Sequence, residues 1–297
     1  MSDRKKATDF PQEILRLFDG YVHGHIERKD FLRGAAKVLG GGAAALALLE
    51  ALQPNYAWAA QVAPDDTKIQ QEYVEYPSPN GSGTMRGYMA VPAGATAPLP
   101  AVLVIHENRG LNPYIEDVVR RFAAANFVAL GPDALTPLGG YPGNDDEGRQ
   151  MQSQLDREVM MQDWLAAFDF LIEHPATTGR VGAVGFCYGG GVVNELAVRR
   201  PDLGAGVPFY GSAAELALVP QIQAPLMIQL AGLDERVNAG YPAYEEALRA
   251  AGKEFVVHIY EGANHGFHND TTPRFDPEAA AMAQARTIAF FDEHLRR

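Results

Sequence analysis

The segment Gly185-Phe186-Cys187-Tyr188-Gly189-Gly190 sets the chain's one cysteine among glycines, between an apolar run and a helical pattern. A thiol on such a turn can act as a nucleophile. The glycines let strand and helix pass closely, and the N–H groups that open the helix favour a thiolate or an oxyanion. Covalent catalysis also needs a base and a group to orient it. Gly232-Leu233-Asp234-Glu235-Arg236 and Asn264-His265-Gly266-Phe267 each follow an apolar β-type run. The chain order of nucleophile, acid and histidine, each past a strand's carboxyl end, points to a Cys187–His265–Asp234 relay. In it His265 would move the proton, and Asp234 would orient the imidazole and stabilise its cation. The competing histidines are His106, His174, His258 and His268. His174 ends a helix, His258 lies within a strand pattern, and His268 is the nearest rival. Gly266 beside His265 leaves space at the strand tip and favours that residue. The plainer alternative is a buried cysteine, a solvated aspartate and a structural histidine.

These residues need a scaffold that brings strand ends together. Apolar or β-rich runs fall at 73–76, 85–91, 101–106, 127–131, 181–186, 205–210, 226–231 and 255–260. Several are continuously apolar, as strands buried on both faces should be. Helical patterns lie between them at 113–125, 156–174, 188–199, 241–251 and 277–295. Asn112-Pro113 reads as an N-cap followed by a first-turn proline. Alternation of this kind predicts a mostly parallel sheet of about eight strands with helices on both faces. The first two strands share only the turn Pro79-Asn80-Gly81, so they should pair antiparallel at one edge. No long insertion separates 210 from 225, which excludes a large lid domain. The stretch 134–154 is the candidate for shaping a pocket, and Asn144-Asp145-Asp146-Glu147 within it reads as an exposed acidic loop.

Residues from about 70 onward resemble the dienelactone hydrolase (carboxymethylenebutenolidase) family, a branch of the α/β-hydrolases that uses cysteine. The resemblance rests on the elbow, on Gly232-Leu233-Asp234, on Asn264-His265-Gly266-Phe267, and on His106-Glu107-Asn108-Arg109-Gly110. It implies an α/β-hydrolase fold and hydrolysis of an ester or lactone through a thioester on Cys187. It further implies that Glu107 contacts the cysteine and helps control its ionisation. The backbone N–H groups of Asn108 and Tyr188 would form the oxyanion hole. Chemically, a carboxylate beside a thiol raises the thiol's pKa, so accepting its proton is the sensible role for Glu107. The chain departs from the family where arginines grip the substrate carboxylate: Asn269 stands four residues after His265, and 134–141 contains no arginine. Arg109 and Arg149 are the candidate substitutes, with Tyr141 and Phe267 as further pocket residues. A general carboxylesterase using the same residues is the alternative enzyme, and a non-catalytic reactive-thiol sensor or binding protein is the alternative from another class.

Composition bounds the rest. The 297 residues are 47% hydrophobic and 21% charged, which suits a globular protein with a sizeable core. Net charge is −12 and no basic stripe is present, which argues against a nucleic-acid partner. A single cysteine makes neither an internal disulfide nor a cysteine-rich metal site, and no motif calls for a cofactor. The expected partner is a small ester or lactone, and a homo-oligomer stays open. Residues 1–64 stand apart from the catalytic domain at 65–297. Arg28-Lys29-Asp30-Phe31-Leu32-Arg33, a Gly/Ala/Leu run and Ala57-Trp58-Ala59 resemble a twin-arginine export signal with lysine as the second basic residue. Such a signal would place the enzyme in the periplasm. The apolar run is too short and too charged to span a membrane stably. The alternative is a cytoplasmic protein whose segment is retained as a helical appendage, since Ile14, Leu17, Phe18 and Tyr21 fall at helical spacing. In that case Leu15, Phe18, Phe31 and Leu39 should be buried against the main domain or a second subunit.

Overall fold

The computed structural model describes residues 4–297. Helices α1 (Gln12–Val22), α2 (Arg28–Leu39) and α3 (Gly42–Leu52) come first. In α1 the residues Ile14, Leu15, Phe18, Tyr21 and Val22 are buried along one face. They pack with Phe31 and Ala35 of α2 and with Ala45, Leu48, Leu49 and Leu52 of α3 in a small core of their own. Leu15, Phe18 and Phe31 are thus buried in the helices' own core instead of against the sheet domain, and Leu39, the last residue of α2, stays 38% exposed. Gly40 ends α2 in a left-handed conformation and turns the chain into α3. No single described helix is long and apolar enough to cross a membrane.

One eight-stranded sheet follows. Its strands are β1 (Ile69–Ser78), β2 (Gly83–Pro92), β3 (Leu99–Ile105), β4 (Val128–Pro132), β5 (Thr177–Phe186), β6 (Ala205–Phe209), β7 (Leu226–Ala231) and β8 (Phe255–Tyr260). They lie in the order β1-β2-β4-β3-β5-β6-β7-β8. The β1–β2 and β2–β4 pairings are antiparallel and the others parallel, so the edge hairpin is where the missing helix predicted it. The fold is of the α/β-hydrolase type, and no large lid covers it.

The helices between the strands are α4 (Pro113–Ala124), α5 (Asp145–Gln152), α6 (Arg157–Glu173), α7 (Tyr188–Arg199), α8 (Glu235–Asn238) and α9 (Tyr241–Ala250), and α10 (Pro277–Leu295) follows the last strand. Residues of α4 and α10 pack in one core with one face of the sheet, while α6, α7 and α9 pack in the core on the other. Continuous apolar runs in β3, β5, β6 and β7 are buried on both faces, as this layering requires. Asn112 caps α4 by accepting from the Ile115 N–H, with Pro113 next in line.

One expectation is corrected. Residues 144–147 open α5 instead of forming an exposed loop. The Asn144 side chain accepts from the Glu147 N–H, and Asp145 is buried against Arg109. An N-cap asparagine followed by acidic first-turn residues is a helix start, and the negative charge suits the helix's positive end.

Candidate active site

Cys187 sits between β5 and α7 with φ +57° and ψ −111°, a region that L-residues rarely adopt. Two glycines make the turn possible. A Cβ on Gly185 would stand 2.1 Å from the Gly189 carbonyl oxygen, and one on Gly189 would stand 2.3 Å from that of Ile105. The side chain is thereby presented at the sheet's carboxyl edge, and the residue is 8% exposed.

Asp234 follows β7 and His265 follows β8, so both arrive at the same edge. The His265 Nδ1 lies 2.5 Å from an Asp234 carboxylate oxygen. That oxygen accepts only, so Nδ1 carries a proton and, in the neutral ring, Nε2 offers a lone pair. The Asp234 carboxyl also accepts from the Val237 N–H. Burial opposes its ionisation, but the hydrogen bond and charge of His265 outweigh burial and hold its pKa below the usual range. The His265 Nε2 is buried and has no hydrogen-bond partner among the described residues.

The rival His268 is fully engaged elsewhere. It takes a hydrogen bond from the Tyr114 hydroxyl at 2.7 Å and reaches Gln284 Oε1 at 3.1 Å. Burial, reinforced by the nearby Arg121 charge, lowers its pKa to about 3. His106 is also structural, bridging the Glu107 carbonyl and the Ala134 N–H.

Glu107 is buried just beyond β3, and its carboxylate accepts from the Asn269 side chain at 3.0 Å. No hydrogen bond joins it to Cys187 among the described residues. Asn269 therefore occupies the position where the family's arginine was sought, and it faces Glu107. The Asn108 side chain donates to the Val22 carbonyl at 2.8 Å. The Tyr188 hydroxyl is tied to the Trp164 indole N–H at 3.2 Å. Arg109 forms a buried ion pair with Asp145 at 2.6 Å, and the Tyr141 hydroxyl donates to the same carboxylate at 2.8 Å. Arg149 stacks over the Tyr21 ring. Phe267 is buried among Phe209, Tyr210 and Tyr260. The carboxyl-edge cluster thus contains Cys187, His265 and Asp234, while Arg109, Tyr141 and Arg149 are engaged with α5 and α1.

Sequence reasoning missed His23. This residue caps the C-terminal end of α1, and its Nε2 lies 3.1 Å from the Cys187 Sγ. Its Nδ1 faces the Asp19 main-chain oxygen at 2.7 Å and the Asp19 carboxylate at 3.2 Å. Its ring stands edge-on to that of His265, with centroids 4.6 Å apart. Burial pulls the His23 pKa down, but the Cys187 charge and the Asp19 hydrogen bond raise it above the usual value. Asp19 also pairs with Arg236 and Arg274. A groove of about 400 Å³ runs between α1 and the catalytic residues, lined by Leu15, Arg16, Asp19, Asp234, Arg236 and His265, among others. Separation in sequence hid the pairing, since Cys187 lies 164 positions after His23.

Known proteins agree with this architecture. The dienelactone hydrolase family's model matches residues 85–295, and a YqhI-like family's model matches residues 1–38. A Bradyrhizobium protein named "Probable 2-oxo-3-(5-oxofuran-2-ylidene)propanoate lactonase" is 31% identical over 73% of this chain and 92% of its own length. Carboxymethylenebutenolidase 1 of Cupriavidus pinatubonensis is 27% identical over 72% of this chain and 94% of its own. The crystal structure of a dienelactone hydrolase from Anabaena variabilis superimposes with a TM-score of 0.59 at 22% identity, covering 77% of this chain and 99% of that one.

Proposed function

The chain belongs to the dienelactone hydrolase family and is a hydrolase; on that premise we propose that it cleaves an ester or lactone through a thioester on Cys187. The observation that carries this reading is the geometry around His265. Its Nδ1 is held by Asp234, its Nε2 is free, and one of its ring nitrogens lies within 4.8 Å of the Cys187 Sγ. In the proposed cycle the thiolate attacks the substrate carbonyl carbon, and the N–H groups of Asn108 and Tyr188 receive the oxyanion. The tetrahedral adduct collapses, and the leaving alkoxide takes a proton from the His265 imidazolium. Water then loses a proton to His265 and attacks the thioester. Collapse of the second adduct returns the thiol and releases the acid.

In this proposal Glu107 assists the cysteine, and its Asn269 contact keeps the carboxylate oriented. Substrate enters by the groove beside His265. With Arg109 committed to Asp145, selection for a substrate carboxylate has weak support, which favours neutral lactones and esters over the dienelactone acid. Residues 65–297 form the catalytic unit in this reading, and residues 1–64 a helical unit that borders its entrance.

A chromogenic aryl ester assayed with wild type, Cys187→Ala, His265→Ala and Asp234→Asn tests the mechanism. Each variant should lose at least about 10³-fold in kcat/KM. Wild type should show a burst of leaving group, and mass spectrometry should find the acyl group on Cys187. Equal turnover by all four proteins, or a single stoichiometric reaction without turnover, rejects the reading.

A further inference from the structure

Three ligand atoms of a kind that bind soft divalent metals converge at the thiol. The Sγ of Cys187 and one ring nitrogen each of His23 and His265 all lie within 4.8 Å of one another. His23 Nδ1 faces the Asp19 main-chain oxygen, which only accepts, so its Nε2 presents a lone pair. His265 Nδ1 faces the Asp234 carboxylate, so its Nε2 does the same. Two buried lone pairs therefore point at one sulfur that carries a single proton. The thiol and the Arg236 guanidinium both reach His23 Nε2, at 3.1 and 3.3 Å, and His265 Nε2 is buried without a hydrogen-bond partner among the described residues.

We propose that Cys187 Sγ, His23 Nε2 and His265 Nε2 form a three-ligand site for Zn²⁺, with the fourth position open to water. Binding displaces the thiol proton to solvent, and the thiolate and both lone pairs then coordinate one cation. A tetrahedral zinc site with these donors has ligand-to-ligand edges of about 3.3–3.6 Å. The observed spacing needs only small side-chain shifts to reach that. Both histidines carry the outer support that zinc ligands normally have: Asp234 holds the far nitrogen of His265, and Asp19 holds that of His23. The ligand set is also soft enough to prefer zinc over magnesium or calcium.

The charges around the cluster set the conditions for entry. Asp19 and Asp234 contribute negative charge, and Arg274 faces Asp19 from the catalytic side. Arg236 is the opposing group, with one guanidinium nitrogen 3.3 Å from His23 Nε2 and 3.5 Å from His265 Nδ1. It lies on the groove wall, partly exposed, so it can swing outward as the metal enters. Coordination occupies both the sulfur and the histidine nitrogen that acyl transfer would use. Zinc binding and turnover therefore exclude each other, and this consequence, unlike binding itself, rests on the proposed thioester mechanism.

Cobalt titration of the reduced, metal-free full chain provides the test. One Co²⁺ per chain should bind with a thiolate charge-transfer band in the near ultraviolet and visible bands of tetrahedral intensity, and Zn²⁺ should displace it. Cys187→Ala should abolish the charge-transfer band. His23→Ala should weaken binding at least tenfold. His23→Gln, which keeps a polar contact to Asp19, serves if the alanine variant loses helical signal. In wild type Zn²⁺ should also protect Cys187 from iodoacetamide, and this protection should vanish in the His23 variant. Absence of the band in wild type, or unchanged affinity without His23, overturns the site. A chain that hydrolyses esters without the band loses the metal site alone. A chain that shows the band but hydrolyses nothing keeps the site and loses the proposed hydrolytic mechanism.

Discussion

The two histidines near the thiol's edge of the sheet differ in what surrounds them. His265 keeps one nitrogen on a carboxylate and one free, whereas His268 has both nitrogens satisfied by neutral partners. With its pKa lowered to about 3, His268 stays neutral in the folded chain at pH values where the unfolded chain would protonate it. A depressed histidine pKa gives stability that is complete above the unfolded value of ~6.5 and is lost as pH falls toward the folded value. Between pH 6.5 and 4.5 this residue should cost about 1.4 kcal/mol per pH unit. Urea unfolding at several pH values should show a shallower loss in His268→Gln than in wild type across that window. Sequence alone favoured His265 over His268 on the strength of Gly266, which is indeed in the left-handed region at φ +82°. The decisive difference, one nitrogen left open, depends on Tyr114 and Gln284, and neither can be located from a motif. His23 was out of reach for the same reason: its role depends on how α1 docks.

At the level of elements, the strand–turn–helix that carries Cys187 leaves least room for change. Gly185→Ala would drive a methyl group into the backbone of Gly189, where no side chain can move aside. A cost of at least about 3 kcal/mol is expected, seen as a lower melting temperature together with lost turnover. Gly83, with no neighbour within 4 Å of its Cβ position, should tolerate alanine apart from the strain of its positive φ. The strands and long helices were legible because their patterns are local: buried strands are apolar throughout, and Asn112-Pro113 marks a helix start. Helix α5 was not legible as such. Its residues are almost all polar, and its placement depends on the buried Arg109–Asp145 pair. Of the pocket residues expected in that region, Tyr141 is held by the same Asp145 and Arg149 lies over the Tyr21 ring.

Across the whole molecule, the segment of residues 12–55 and the sheet domain are joined mainly by polar contacts. Gln12 reaches Asn264 at 2.9 Å, Arg16 reaches Glu235 at 2.5 Å, the Tyr21 hydroxyl reaches Asp146 at 2.7 Å, and Asn55 N–H donates to the Thr271 carbonyl at 2.8 Å. Phe18 and Phe31 bury their rings chiefly within the helical core. Deleting residues 1–60 should therefore leave the sheet domain folded, lower its melting temperature, and speed alkylation of Cys187 by iodoacetamide at least tenfold. Unchanged alkylation would show that the His23 contact does not shield the sulfur.

The partner covering the thiol is tethered to it by the chain itself. Its effective concentration is consequently set by the linking segment and not by how much protein is present. Uncovering of Cys187 is a first-order event, so its rate should be the same in dilute and in concentrated solution. The exposed part of the contact is ionic, as in Arg16–Glu235 and Arg236–Asp19. Added salt screens such pairs over a Debye length of roughly 8–10 Å at 0.1–0.15 M. The environment could thus set the sulfur's availability through ionic strength alone, with no change in substrate or enzyme level.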